Sequence, residues 1–97
     1  MRGQPTTEYL AECFWPGVTP ADVRELDARV EASAAESGDT NTRVRYLGAM
    51  VVAEDDVAFF CFSGDSALAV EIVARRAGIP FERVVESTRI SPISSGR

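Results

Sequence analysis

Four side chains are the sequence's foremost candidates for chemistry: Glu12, Cys13, Tyr46 and Cys61. Glu12 lies midway along Tyr9–Trp15, an aromatic and apolar stretch that reads as a strand, where a carboxylate is costly unless it is paired or functional. A functional Glu12 would act as a general base or as one ligand for a cation. The competing reading pairs it with an arginine on another strand, such as Arg45 or Arg83, or lets it reach solvent at the sheet end. Cys13 and Cys61 fall on two stretches that the topology below makes neighbours. Their sulfurs would then meet, as a redox pair or a thiolate site, if register and face agree. Against this, free cysteine is commonly a small buried hydrophobe, no CxxC spacing occurs, and two thiolates make only half a zinc site. Tyr46, with Tyr9, Trp15, Met50 and Phe59, could line an aromatic ligand pocket or serve as core and dimer contact.

Composition removes other chemistries. The chain has 97 residues, 10 basic and 15 acidic, with no histidine and with arginine as its only basic type. A histidine base, a Ser-His-Asp triad, an imidazole metal ligand and a lysine Schiff base are therefore absent from it. Neither a metal site nor a cofactor is implied by the residues. A formal charge of -5, with arginines spread from Arg2 to Arg97 without a run, argues against nucleic acid as a partner. Apolar runs are too short for a membrane span. The first fifteen residues contain Glu8 and Glu12 and lack the continuous apolar stretch of a secretory signal, so a cytoplasmic location with reduced cysteines is expected.

The elements that must position these residues are legible from period and punctuation. Tyr9–Trp15 ends at Pro16-Gly17, a strand followed by a turn. Thr19-Pro20-Ala21-Asp22 sets a hydroxyl cap, a proline at the first helical position and an acid three residues after the cap. Val23, Leu26, Val30 and Ala34 then repeat at three and four, predicting an amphipathic helix to about Ser37-Gly38. After the polar loop Asp39–Thr42, Val44–Ala53 reads as a second strand, Glu54-Asp55-Asp56 as a solvated hairpin tip, and Val57–Phe62 as the returning strand. Asp65 or Ser66 caps a second helix whose expected buried stripe is Leu68, Ile72, Val73 and Ala77, closed by Gly78 and Pro80. Phe81–Ile90 is the last strand, with Val84, Glu86 and Thr88 on one face and Arg83, Val85 and Ser87 on the other.

The order βαββαβ, with right-handed crossovers, predicts an α+β ferredoxin-like sandwich: a four-stranded antiparallel sheet, two helices on one face, and the first and third strands in the middle. One domain spans residues 8–90, with flexible tails at 1–7 and 91–97. Such a sheet ordinarily shows water one polar face. Here Phe60 and Phe62 oppose Phe59 and Cys61, and Leu47, Ala49 and Val51 oppose Tyr46, Met50 and Val52, so both faces read as apolar. A bare apolar face of that size suits a homodimer packed sheet to sheet.

Pro16–Val23, Val44–Leu47, Phe60–Phe62, Ala74–Pro80 and Arg83–Glu86 together resemble a bacterial family of small ferredoxin-like proteins. That family is catalogued as a domain of unknown function and includes nickel-binding members. The resemblance runs from Tyr9 to Glu86 and implies the same fold. The nickel-binding members look to use histidines from strand and helix positions, and this chain has none. The functional expectation is a homodimeric binding module for a small-molecule ligand or protein partner, with Glu12, Cys13, Tyr46 and Cys61 as candidate ligand-binding residues. Two alternatives stand beside it: a cofactor-independent enzyme of the dimeric α/β-barrel type with Glu12 as general base, and a metal carrier using carboxylate and thiolate ligands.

Overall fold

The computed structural model describes residues 7–38 and 43–92. The loop expected at Asp39–Thr42 and most of both expected tails, 1–6 and 93–97, lie outside the described residues. Strands and α-helices follow in the order β1 (Thr7–Phe14), α1 (Pro20–Ser37), β2 (Val44–Val52), β3 (Val57–Gly64), α2 (Ala67–Ala77) and β4 (Arg83–Ser87), with a 3-10 turn at Ala53–Asp55 joining β2 to β3. The strands form one antiparallel sheet in the order β2-β3-β1-β4, so β1 and β3 are central as the element order required. Thr7 opens β1 and is paired with Gly64, one residue inside the expected tail. β3 runs two residues further than expected, to Gly64, and β4 is confined to Arg83–Ser87 because its pairing with β1 spans only Glu8 to Glu12.

The helix starts are chemical. Thr19 accepts from the Asp22 amide, and the Asp22 carboxylate accepts in turn from the Thr19 amide at 2.9 Å, a complete capping box with Pro20 in the first turn. Ser66, rather than Asp65, caps α2 by accepting from the Ala69 amide at 3.1 Å. Gly78 ends α2 at φ 82°, a left-handed position that a side chain would strain, and the Gly78 and Ile79 amides close the final turn onto Ala74 and Arg75 carbonyls.

Both helices cover one face of the sheet. Val23, Leu26, Val30 and Ala34 of α1 are buried as their spacing predicts. On α2 the stripe is rotated from the expected one: Ala69, Val70, Val73, Ala74 and Ala77 are buried, whereas Leu68 is 63% exposed and Ile72 also faces out. The small residues sit inward because α2 packs closely against α1, where the Ser33 hydroxyl donates to the Val73 carbonyl at 2.9 Å. On the sheet side the core is Tyr9, Ala11 and Cys13 of β1 with Ala58, Phe60 and Phe62 of β3.

One irregularity in β2 changes which side chains face the helices. Tyr46 pairs with Phe62, but the next paired residue, Gly48, meets Cys61, so the strand slips between Tyr46 and Gly48 in a β-bulge, with Gly48 at φ 115°. An extra residue flips every side chain on one side of it. Tyr46 therefore joins Ala49 and Val51 beneath α1 and Met50 and Val52 take the opposite face, while Leu47, left unpaired by the slip, borders both sides at the sheet edge, correcting the grouping expected from plain alternation.

Candidate functional site

The four candidate residues do not form one site. Register pairs Cys13 with Ala58 and Cys61 with Leu10. Cys13 falls on the helix-covered face with Ala11, and Cys61 on the bare face with Leu10, so the two sulfurs lie on opposite sides of the sheet. Both thiols are free, and the expected pairing fails on face. Glu12 and Cys61 belong to the bare face, Tyr46 and Cys13 to the covered one. Nor do the aromatic residues converge: Tyr9 is core, while Phe59 and Met50 are partners on the bare face.

Glu12 is where the sequence placed it, mid-strand in central β1, and it forms an ion pair with Arg83, its cross-strand neighbour on β4. The pair is open to water, the arginine more than the acid. A second pair, Glu8 with Arg89 at 3.1 Å, lies on the same face. Exposed pairs of this kind contribute about 0–1 kcal/mol each. Glu12→Gln is therefore expected to change unfolding free energy by no more than about 1 kcal/mol in a denaturant titration, and a loss several times larger would show that the carboxylate holds something besides Arg83.

Burial is the main force on both thiols. It pushes the Cys13 thiol up to about 12, with the Glu82 and Glu12 carboxylates adding to the effect. It also raises Cys61, against a lowering by Arg89 and with a further rise from Glu8. A thiol held neutral is a poor nucleophile. Because the folded Cys13 titrates above its ordinary 9.0, the neutral thiol's contribution to stability is complete below pH 9 and is lost as pH rises from there through about 12. Cys61 is expected to react with a thiol reagent before Cys13, which should react only as fast as the protein unfolds. Simultaneous modification of both under native conditions would contradict the opposite-face placement.

Among the described residues, two concavities border the sheet. The larger, of about 610 Å³, is an open groove between α1 and the edge strand β2. Val23, Ala49 and Val51 give it apolar surface, Arg24, Asp27 and Glu31 of α1 give it charge, and Tyr46 lines it from the sheet. Tyr46 is held there by ring contacts with Phe60 and Phe62 and by its hydroxyl, which donates to Asp27 Oδ1 at 2.6 Å. Burial, the hydrogen bond to Asp27 and that carboxylate's charge keep the Tyr46 phenol well above its ordinary value, so it remains a donor at neutral pH. The smaller concavity, about 360 Å³, lies on the bare face among Leu10, Leu47, Met50 and Cys61, with the Glu8 and Arg89 pair at its rim. Sequence reasoning named Tyr46 but missed Asp27 and Glu31. Their spacing of four on the polar side of an amphipathic helix looks like any solvated face, and only the bulge in β2 turns Tyr46 toward them.

Among the described residues, no three or more cysteine, aspartate or glutamate side chains gather as they would around a metal ion. None of the helices among those residues is long and apolar enough to cross a membrane.

An antiparallel sheet in the order β2-β3-β1-β4, with both crossover helices on one face, defines the ferredoxin-like α+β class. Comparison with solved structures agrees. The chain is similar to SCO4226 from Streptomyces coelicolor A3(2), known from a crystal structure, with a TM-score of 0.66 and 18% sequence identity over 91% of this chain and 99% of that one. At that identity the likeness is one of fold. No protein-family model matches the chain, and no curated protein does.

Proposed function

We propose that the protein is a homodimeric binding module, two copies packing through their helix-free sheet faces and a small ligand lying in the groove between α1 and β2. The observation that carries the reading is the bare face itself. Phe14 is 58% exposed and Met50 51%, Leu47 and Val52 are also exposed, and Leu10, Phe59, Cys61 and Val85 are half-buried beside them. Contiguous apolar surface of this kind marks an interaction site on a small soluble domain.

Charge selects a second copy as its cover. The acidic side chains of this face, Glu8 and Glu12, are each paired with an arginine, and Arg45 adds a positive charge at the polar end of β2. The chain as a whole carries -5. Two acidic copies repel least through a face that is itself close to neutral. A two-fold packing also offsets the small core of a domain this size. Light scattering at micromolar concentration tests the reading: a mass twice the 10.5 kDa of the chain supports it, and a mass of 10.5 kDa overturns it. The same architecture suits the small nickel-binding-protein-like family that the sequence resembles, with the histidines absent and the ligand correspondingly different. Two free thiols on opposite faces fit a reducing compartment such as the cytoplasm.

The enzyme alternative finds little support in the geometry. A general base needs an enclosed pocket and a free carboxylate, whereas Glu12 is tied to Arg83 on an open face and lines neither concavity described above.

A further inference from the structure

We propose that the groove between α1 and β2 takes a small organic cation, an ammonium group met by Asp27 and Glu31 with its apolar body lying on Val23, Ala49 and Val51. The inference rests on the reading of the protein as a binding module and names the ligand class of that groove.

Charge complementarity fixes the class. Asp27 and Glu31 stand one turn apart on α1, both exposed, and neither forms an ion pair among the described residues. Arg24 lies on the same wall one turn earlier, so the wall as a whole is negative by one charge and a cation is favoured over an anion there. The concavity on the bare face differs in this respect, since its one acid, Glu8, is already neutralised by Arg89.

The groove is also preorganised. The hydroxyl of Tyr46 holds Asp27 through Oδ1, leaving Oδ2 without a hydrogen-bond partner among the described residues. Tyr46 is itself fixed by Phe60 and Phe62, so an aromatic ring and a carboxylate are held side by side without the ligand's help. An aromatic ring beside carboxylates is the combination that recognises alkylammonium groups, through the ring quadrupole and the opposite charge together. The bulge makes the arrangement: without the slip between Tyr46 and Gly48, the pairing of β2 would turn Tyr46 to the bare face, away from α1. Re-aiming a side chain is what a bulge does in a sheet. Val23, Ala49 and Val51 beneath the charged wall add apolar contact for carbon chains, which water-soluble inorganic cations would not use.

The experiment is a titration of the whole chain, followed by amide chemical shifts, with n-hexyltrimethylammonium as probe and n-hexyl sulfate and 1-hexanol as controls of the same chain length. The ammonium probe is expected to saturate and to move the amides of Asp27, Glu31, Tyr46 and Gly48, with the sulfate at least about tenfold weaker. Replacing both acids, Asp27→Asn with Glu31→Gln, should weaken the probe about tenfold or more while leaving the far-ultraviolet spectrum unchanged, because both side chains are exposed. Tyr46→Phe keeps the ring and both charges but frees Asp27, and is expected to weaken the probe several-fold. Equal affinity for hexanol and the ammonium probe in this groove would overturn the cation assignment while leaving the groove as a binding site. Absence of saturation by all three compounds at about 10 mM would overturn the inference and the groove together. Light scattering on the same samples reports separately on the sheet-to-sheet dimer.

Discussion

Met50→Glu is expected to halve the solution mass of the protein while leaving its secondary structure intact. Met50 is more than half exposed on β2, an edge strand, and pairs across to Phe59 on the bare face. In an isolated chain the glutamate reaches water and costs little, within about 0.5 kcal/mol for a surface change. In a dimer packed through this face the same carboxylate is enclosed against apolar side chains of the partner, and an unpaired buried charge costs several kcal/mol. A cost of about 3 kcal/mol per copy, about 6 kcal/mol per dimer, weakens association by about 10,000-fold, enough to separate a micromolar dimer. Phe14→Glu, at the apolar end of β1 beside Val57, should act in the same direction. Leu68→Glu is the control: Leu68 is at least as exposed, but it lies on the outer side of α2, and its replacement should leave the mass unchanged. A wild-type chain that is already monomeric, or a Met50→Glu variant that remains dimeric, would remove the sheet face from the interface.

The same face shows why some features are legible in a sequence and others are not. Thr19-Pro20-Ala21-Asp22 and Gly78 announce the ends of their helices because a cap is made by residues within four positions of each other. The central placement of β1 and β3 follows from crossover handedness, which leaves few topologies to choose from. Glu12 with Arg83 is one of the pairings the sequence offers, and the strand order, with β4 beside β1 and β2 two strands away, selects it over Arg45. The β2 bulge is announced more weakly, by a single glycine. An isolated glycine inside a strand such as Gly48 is compatible with a bulge, but only the pairing with β3 fixes that the slip falls there and which side chains it flips. The separation of Cys13 from Cys61 is of the same kind, since face depends on a register to one residue. Asp27 and Glu31 become interesting only once Tyr46 is turned toward them.

The rotated stripe of α2 supplies the sharpest contrast between pattern and packing, and it can be measured. Phe60 is fully buried at the centre of β3 and touches Tyr46, so Phe60→Ala removes a ring from beneath both helices. Truncations of this type cost about 3–5 kcal/mol, from lost transfer energy and from a cavity that the surroundings fill only in part. A small domain shifts by about 4–8 °C per kcal/mol, so the midpoint of thermal unfolding should fall by roughly 12–40 °C, and Tyr46 should lose the support that holds it beside Asp27. Leu68→Ala, at a position that hydrophobic spacing alone marks as core, should change stability by no more than about 0.5 kcal/mol, because the side chain is already in water. Val73→Ala, five residues further along and enclosed, should cost about 1–3 kcal/mol instead. The order Phe60, then Val73, then Leu68 follows from a helix that turns its alanines and valines inward so that α1 can approach. If Leu68→Ala proved as damaging as Val73→Ala, α2 would have to be rotated about its axis, and the close contact from Ser33 to the Val73 carbonyl could not form.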